Sequence, residues 1–233
     1  MLSNAYIYFI KLKASKETAQ EEKDMAWSVE DATKAYLRTL KLGNKLMEPD
    51  VAEFVSALAA GSGARLMVEA CSETAGPVTL AIIAAANQTG GRAVCIVRGA
   101  DELQSSVEFL GPEADNVELV VGNARELLRN EYSAADFVIV DCEMGEYEQM
   151  FKAAHARAVQ ACGGLVVGYN AFSRQSSGAK MRAEYLPIGG GLMVCRVPAG
   201  RKRSQWIVQV DEETGEEHVF RITSPSPRGK RIY

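Results

Sequence analysis

Short apolar runs recur along the middle of the chain. Each is followed by a longer stretch whose apolar positions fall at helical spacing. "ARLMVEAC" (64–71), "RAVCIV" (92–97), "VELVVG" (117–122), "ADFVIVD" (135–141) and "LVVGYNAF" (165–172) are rich in β-branched residues and predict strands. Between them, "GPVTLAIIAAANQTGG", "ADELQSSVEFL", "NARELLRN" and "EYEQMFKAAHARAVQACGG" predict helices, and "MAWSVEDATKAYLRTL" and "EPDVAEFVSALAAGSG" predict two more ahead of the first strand. Ser28 and Asp50 stand where caps belong, Glu30 and Asp31 suit the positive end of a helix dipole, and Pro77 suits a first helical turn. The second helix reads as amphipathic, with Val51, Phe54, Val55 and Leu58 as its apolar face and Gly61 near its stop. Apolar strands alternating with helices imply an α/β fold: a doubly wound, mostly parallel sheet covered on both faces. "AEYLPIGGGLMVCRV" (183–197), two strands around a glycine-rich turn, adds an antiparallel C-terminal hairpin at the sheet edge.

The pattern divides the chain into three parts. Residues 1–24 are charged and lack an apolar stripe beyond "AYIYFI", so a flexible leader is expected. Residues 25–198 carry the alternating pattern. Residues 199–233 form a tail in which "QWIVQVDEETGEEHVFRI" predicts a β-hairpin turning near Gly215, flanked by basic runs at 201–203 and 228–231. That hairpin is too small to build a core of its own.

Composition changes the picture in three respects. The net charge of −4 disfavours a general nucleic-acid binder. Five cysteines, an odd number without C-x-x-C spacing, lie mostly in or beside apolar runs. They read as buried free thiols of a reducing, cytoplasmic compartment. No apolar run approaches the ~20 residues that span a bilayer, so no membrane association is expected.

The chemistry is expected at the strand ends. In a doubly wound sheet, ligands sit beyond the carboxyl ends of the strands, at the point where strand order reverses. The stretch "FVIVDCEMGEY" (137–147) runs an apparently buried strand into the carboxylate of Asp141, which looks bare. "EACSETAG" (69–76), "GNA" (122–124) and "GYNAF" (168–172) end other strands on the same edge. Asp141 is either a ligand-edge carboxylate or a cap for the next helix. Held for a ligand, it would add little to the empty fold, and Asp141→Asn would leave the melting temperature nearly unchanged. Glu69 is either a ligand group or a structural carboxylate bonding loop amides. Cys71 reads as a packing residue, since the sequence supplies no base to activate it.

With these segments in this order, residues 26–198 resemble the class I S-adenosylmethionine-dependent methyltransferases, a Rossmann-like fold. Within them the chain is most similar to the caffeoyl-CoA (catechol-type) O-methyltransferases. It resembles still more closely a group of plant proteins labelled only as methyltransferase-like or of unknown function. The resemblance implies S-adenosylmethionine as cofactor, held by Glu69, Ala70, Cys71, Ser72 and Gly76 after the first strand. It also implies Gly122, Asn123 and Ala124 beside the adenine, and Asp141 bordering both cofactor and methyl-transfer site as the catalytic residue. Asn170 matches the second residue of a "D-N" metal pair.

Three departures qualify this. Cys71 replaces a glycine and is expected to crowd the cofactor loop. Val97 replaces the acid that bonds the ribose, with Asp101 or Glu102 as stand-ins from the next turn. Tyr169 replaces the first metal carboxylate, so no metal is expected. The function implied is methyl transfer to a small-molecule acceptor. The alternative is a non-catalytic binding or scaffold protein on the same fold. A nucleotide-dependent dehydrogenase is disfavoured, because no G-x-G-x-x-G follows the first strand.

Overall fold

The computed structural model describes residues 27–43, 50–160, 163–174, 183–198, 204–210 and 217–223. Its chain divides into two compact units, residues 1–199 and 200–233.

In the first unit, seven strands among the described residues form one sheet: β1 (Leu66–Ala70), β2 (Arg92–Val97), β3 (Glu118–Val121), β4 (Phe137–Asp141), β5 (Gly164–Tyr169), β6 (Glu184–Leu186) and β7 (Leu192–Val197). Their spatial order is β3-β2-β1-β4-β5-β7-β6. Strands β1 to β5 pair in parallel, and β7 runs antiparallel between β5 and β6. The predicted C-terminal hairpin is present, with β6 as its outer strand. The expected doubly wound sheet is the observed one.

Helices α1 (Val29–Leu42), α2 (Val51–Gly61), α3 (Pro77–Thr89) and α4 (Ala100–Leu110) supply residues to one apolar core, together with Met67, Cys71, Cys95, Phe137, Ile139 and Val167. Helices α5 (Ala124–Arg129) and α6 (Tyr147–Gln160) supply residues to a second core with Val68, Ala70, Ile96, Val138 and Val166. The split follows from the strand period of two, which sends successive side chains to opposite faces.

The caps behave as the sequence implies. Ser28 Oγ accepts from the Asp31 backbone N–H at 3.2 Å. Asp50 and Glu53 form a capping box at α2. The expectation of an amphipathic α2 is corrected: every residue from Val51 to Gly61 is buried. Helices α1 and α3 both lie against it, and its small alanine and glycine positions permit that enclosure. Trp27 lies over Gly61, where an added Cβ would overlap the indole ring.

In the second unit, β8 (Ser204–Val210) pairs antiparallel with β9 (Glu217–Thr223), which is the tail hairpin expected from the sequence. The leader, Gly215 and both basic runs lie outside the described residues. Among the described residues, no helix is long and apolar enough to cross a membrane.

Candidate functional site

The chain leaves β1 toward β2 on one side, while β4 pairs on the other, so the strand order reverses between β1 and β4. Glu69 and Asp141 stand at the carboxyl ends of these two strands, and Tyr169 lies opposite Asp141 at the end of β5. Met67, Glu69 and Cys71 alternate onto the α2–α3 face. So do Ile139 and Asp141 on β4, and Val167 and Tyr169 on β5.

Asp141 is not bare. It is 3% exposed, and three donors engage its carboxylate. The Ser72 hydroxyl donates to Oδ2. The Glu143 backbone N–H and the Asn170 side-chain amide each donate to Oδ1 at 3.0 Å. Asn170 reaches it from a left-handed backbone conformation, φ 56°, which asparagine adopts more readily than most residues. Glycines make room for this turn, since a Cβ at Gly190 would come within 2.8 Å of Asn170 Oδ1. Asp141 therefore ties the loop after β1 to the ends of β4 and β5.

Glu69 is 1% exposed. Thr79 donates to its Oε2 at 2.7 Å, and the Gly76 backbone N–H donates to Thr79 Oγ1 at 3.0 Å. Glu69 thus fixes the 71–76 turn through Thr79, on the first turn of α3, rather than by bonding loop amides itself. Burial pushes its carboxyl up to about 7, against hydrogen bonds from Thr79 and Cys71, with the Asp141 charge adding to the rise and the Tyr169 hydroxyl opposing it.

Cys71 does not crowd the outer side of the loop. It continues the alternation of β1 inward, and its Sγ lies 3.1 Å from Cys95 Sγ in β2. The hydrogen bond to Cys95, then burial, then the Glu69 charge push its thiol up. Its backbone N–H donates to Ile96 O at 3.1 Å. Burial likewise pushes up the Tyr169 phenol, with the charges of Glu69, Cys71 and Asp141 adding to it, and holds Cys142 up at about 12.

The remaining predicted residues lie along the same edge. Ala70 is buried under the opposite face. Gly76 precedes α3, and a Cβ there would meet nothing within 4 Å. The Gly122 backbone N–H donates to Val97 O at 3.0 Å. Asn123 caps α5, accepting from Glu126 N–H at 3.2 Å, and Ala124 opens that helix, buried. Asp101 is exposed in the first turn of α4. Val97 is fully buried, which leaves the end of β2 without a carboxylate.

Sequence reasoning missed Thr79 and Cys95. Thr79 had a signal: its place three residues after the cap Gly76, where a side chain can reach back to the cap N–H. Cys95 becomes visible only once the register pairs it with Glu69.

The profile of one family, described as "Protein of unknown function (DUF1442)", matches residues 23–222. The chain belongs to the DUF1442 family. No curated protein matches this DUF1442 chain. Among solved structures, it is similar to the S-adenosylhomocysteine-bound methyltransferase PaMTH1 of Podospora anserina. Identity there is 14%, with a TM-score of 0.54, covering 84% of this chain and 97% of that one. It is also similar to a Staphylococcus aureus protein provisionally named a caffeoyl-CoA O-methyltransferase. There identity is 13%, with a TM-score of 0.51, covering 82% and 98% of the two chains. This DUF1442 protein therefore has the methyltransferase-like Rossmann fold that the sequence resemblance implied.

Proposed function

We propose that the protein binds S-adenosylmethionine along the ends of β1, β2 and β3 and transfers its methyl group to a small-molecule acceptor beside β4 and β5. The observation that carries this reading is the meeting of Glu69, the 71–76 turn and Asp141 at the switch point of a sheet ordered β3-β2-β1-β4-β5-β7-β6. The likeness to a methyltransferase named as bound to S-adenosylhomocysteine supports it.

The residues fit the cofactor unevenly. At the methionine end, Glu69 and Thr79 hold the turn, and the space beside Gly76 is open. At the ribose, Val97 offers no hydrogen bond, and Asp101 is the nearest acid in sequence on that edge. The missing bonds cost ~1–3 kcal/mol, roughly tenfold to a hundredfold in affinity.

When bound, the cofactor supplies an electrophilic methyl group. The chain's own part is positioning, which can contribute several powers of ten in rate. A carboxylate has about four lone-pair sites, and among the described residues three donors engage Asp141. The remaining site orients an acceptor O–H or N–H and takes its proton. Asn170 turns its amide onto Asp141, and Tyr169 stands where a second carboxylate would be. A magnesium or calcium ion therefore has no part in this proposal. Nucleic acid has none either, given the negative net charge. The buried, free Cys71, Cys95, Cys142 and Cys195 suit a reducing compartment, and we place the protein in the cytoplasm.

Val97 favours a second reading, a non-catalytic binding protein. Calorimetry with S-adenosylhomocysteine separates the readings from failure of both. The proposal expects micromolar or weaker binding, abolished in Gly76→Ala without loss of fold, because the added Cβ meets no protein atom. Binding together with methyl transfer to a panel of phenols, amines and thiols supports the enzyme. Binding alone supports the second reading, and no binding sinks both.

A further inference from the structure

Beneath the 71–76 turn, Glu69 belongs to a cluster with two buried thiols that methyl transfer does not use. One carboxylate oxygen of Glu69 and the Sγ atoms of Cys71 and Cys95 all lie within 4.8 Å of one another, and all three residues are buried. The thiols are 3.1 Å apart. Thr79 Oγ1 completes the group, 2.7 Å from Glu69 Oε2 and 3.8 Å from Cys95 Sγ. Among the described residues, the groups acting on the Glu69 carboxyl are Thr79, Cys71, Asp141 and Tyr169, and none of them is a cation. A fully buried carboxylate is ordinarily paired with a cation or coordinates a metal. Here acidic groups from β1, β2, β4 and β5 converge on one spot.

We propose that Glu69, Cys71 and Cys95 form a site for a zinc-class, thiophilic divalent ion, with the Thr79 hydroxyl or one water as fourth ligand. Two sulfurs and a carboxylate oxygen are a donor set that zinc takes in tetrahedral geometry. Soft thiolates select it over magnesium and calcium. Zn–S bonds of about 2.3 Å place tetrahedral sulfur ligands about 3.8 Å apart. The Cys71 and Cys95 side chains therefore open by less than 1 Å to admit the ion. On binding, each thiol, and the Glu69 carboxyl where it holds a proton, releases that proton to solvent, and the two thiolates and the carboxylate face the 2+ charge. The ion would join β1, β2 and the first turn of α3 at one point and fix the loop that borders the proposed cofactor site. This site is distinct from the Asp141–Asn170 pair. It stands whether or not S-adenosylmethionine binds, because its test uses no cofactor.

The test takes the full chain, reduced and stripped with chelator, and adds zinc or cobalt. The expected result is one ion per chain, binding at micromolar strength or tighter. Also expected are a higher melting temperature with zinc and the visible absorption of tetrahedral, thiolate-bound cobalt. Cys95→Ala is expected to weaken binding by about a hundredfold or more. Cys195→Ala, a buried thiol in the other core, leaves binding unchanged. If Cys95→Ala does not fold, X-ray absorption of the zinc-loaded wild type decides, with two sulfur ligands expected. No binding, octahedral cobalt, a shell of oxygen and nitrogen only, or binding that survives Cys95→Ala overturns the proposal.

Discussion

At the scale of single residues, Asp141 carries the sharpest change from what the strand pattern implies. The sequence reading of a carboxylate held for a ligand predicts that Asp141→Asn barely alters stability. The structure reverses that expectation, because Ser72, Glu143 and Asn170 all donate to it. An asparagine would turn an N–H₂ toward at least one of these donors and leave it unsatisfied. The expected cost is about 1–3 kcal/mol, read as a melting temperature several degrees lower without ligand. An unchanged melting temperature would restore the free carboxylate. Glu69 gives a prediction with a pH sign. Its folded value, about 7, lies above the ordinary 4.5. The folded state therefore holds the proton more tightly than the unfolded chain. Stability associated with Glu69 is fully present below pH 4.5 and declines as pH rises through 7. In metal-free protein, Glu69→Gln keeps the neutral form at every pH. The variant is expected to match wild type near pH 4.5 and to exceed it in melting temperature at pH 8. Equal curves at both pH values would show that burial does not hold the proton there. The strand ends pointed to both acids from the sequence. Their partners Ser72, Thr79 and Asn170 lie 69, 10 and 29 residues away in sequence, and no local pattern links them to the acids.

At the scale of elements, strand and helix positions were legible because caps, glycines and apolar periodicity agree at each boundary, as at Ser28, Asp50 and Pro77. The burial of α2 was not, because Val51, Phe54, Val55 and Leu58 already make a sufficient single face. What encloses the helix is Trp27 with the neighbouring helices, a tertiary fact. Gly61 makes that enclosure possible. The expected effect of Gly61→Ala is a clash with the Trp27 indole costing about 1–3 kcal/mol, the usual penalty for overfilling a packed site. The check is a double-mutant cycle on melting free energies. If the clash is the cause, Gly61→Ala costs little in a Trp27→Ala background. A penalty unchanged by removing the indole assigns it to the helix end instead.

At the scale of the whole molecule, the parallel order of β1 to β5 follows from alternation with helices, so the fold class was readable. The insertion of β7 between β5 and β6 was not, since a hairpin pattern does not say which strand faces the sheet. With β7 in place, the main sheet is complete at Val197. The first compact unit ends at Ala199, and β8 and β9 pair with each other in the second. A two-stranded hairpin by itself is marginally stable at best. A chain ending at Pro198 is therefore expected to melt within a few degrees of the full chain, with the same denaturant m-value per residue. A fall of about ten degrees or more corresponds at this size to several kcal/mol. That outcome would make residues 199–233 part of the cooperative fold, and the division of the chain into a methyltransferase-like domain and a separate tail would have to be redrawn.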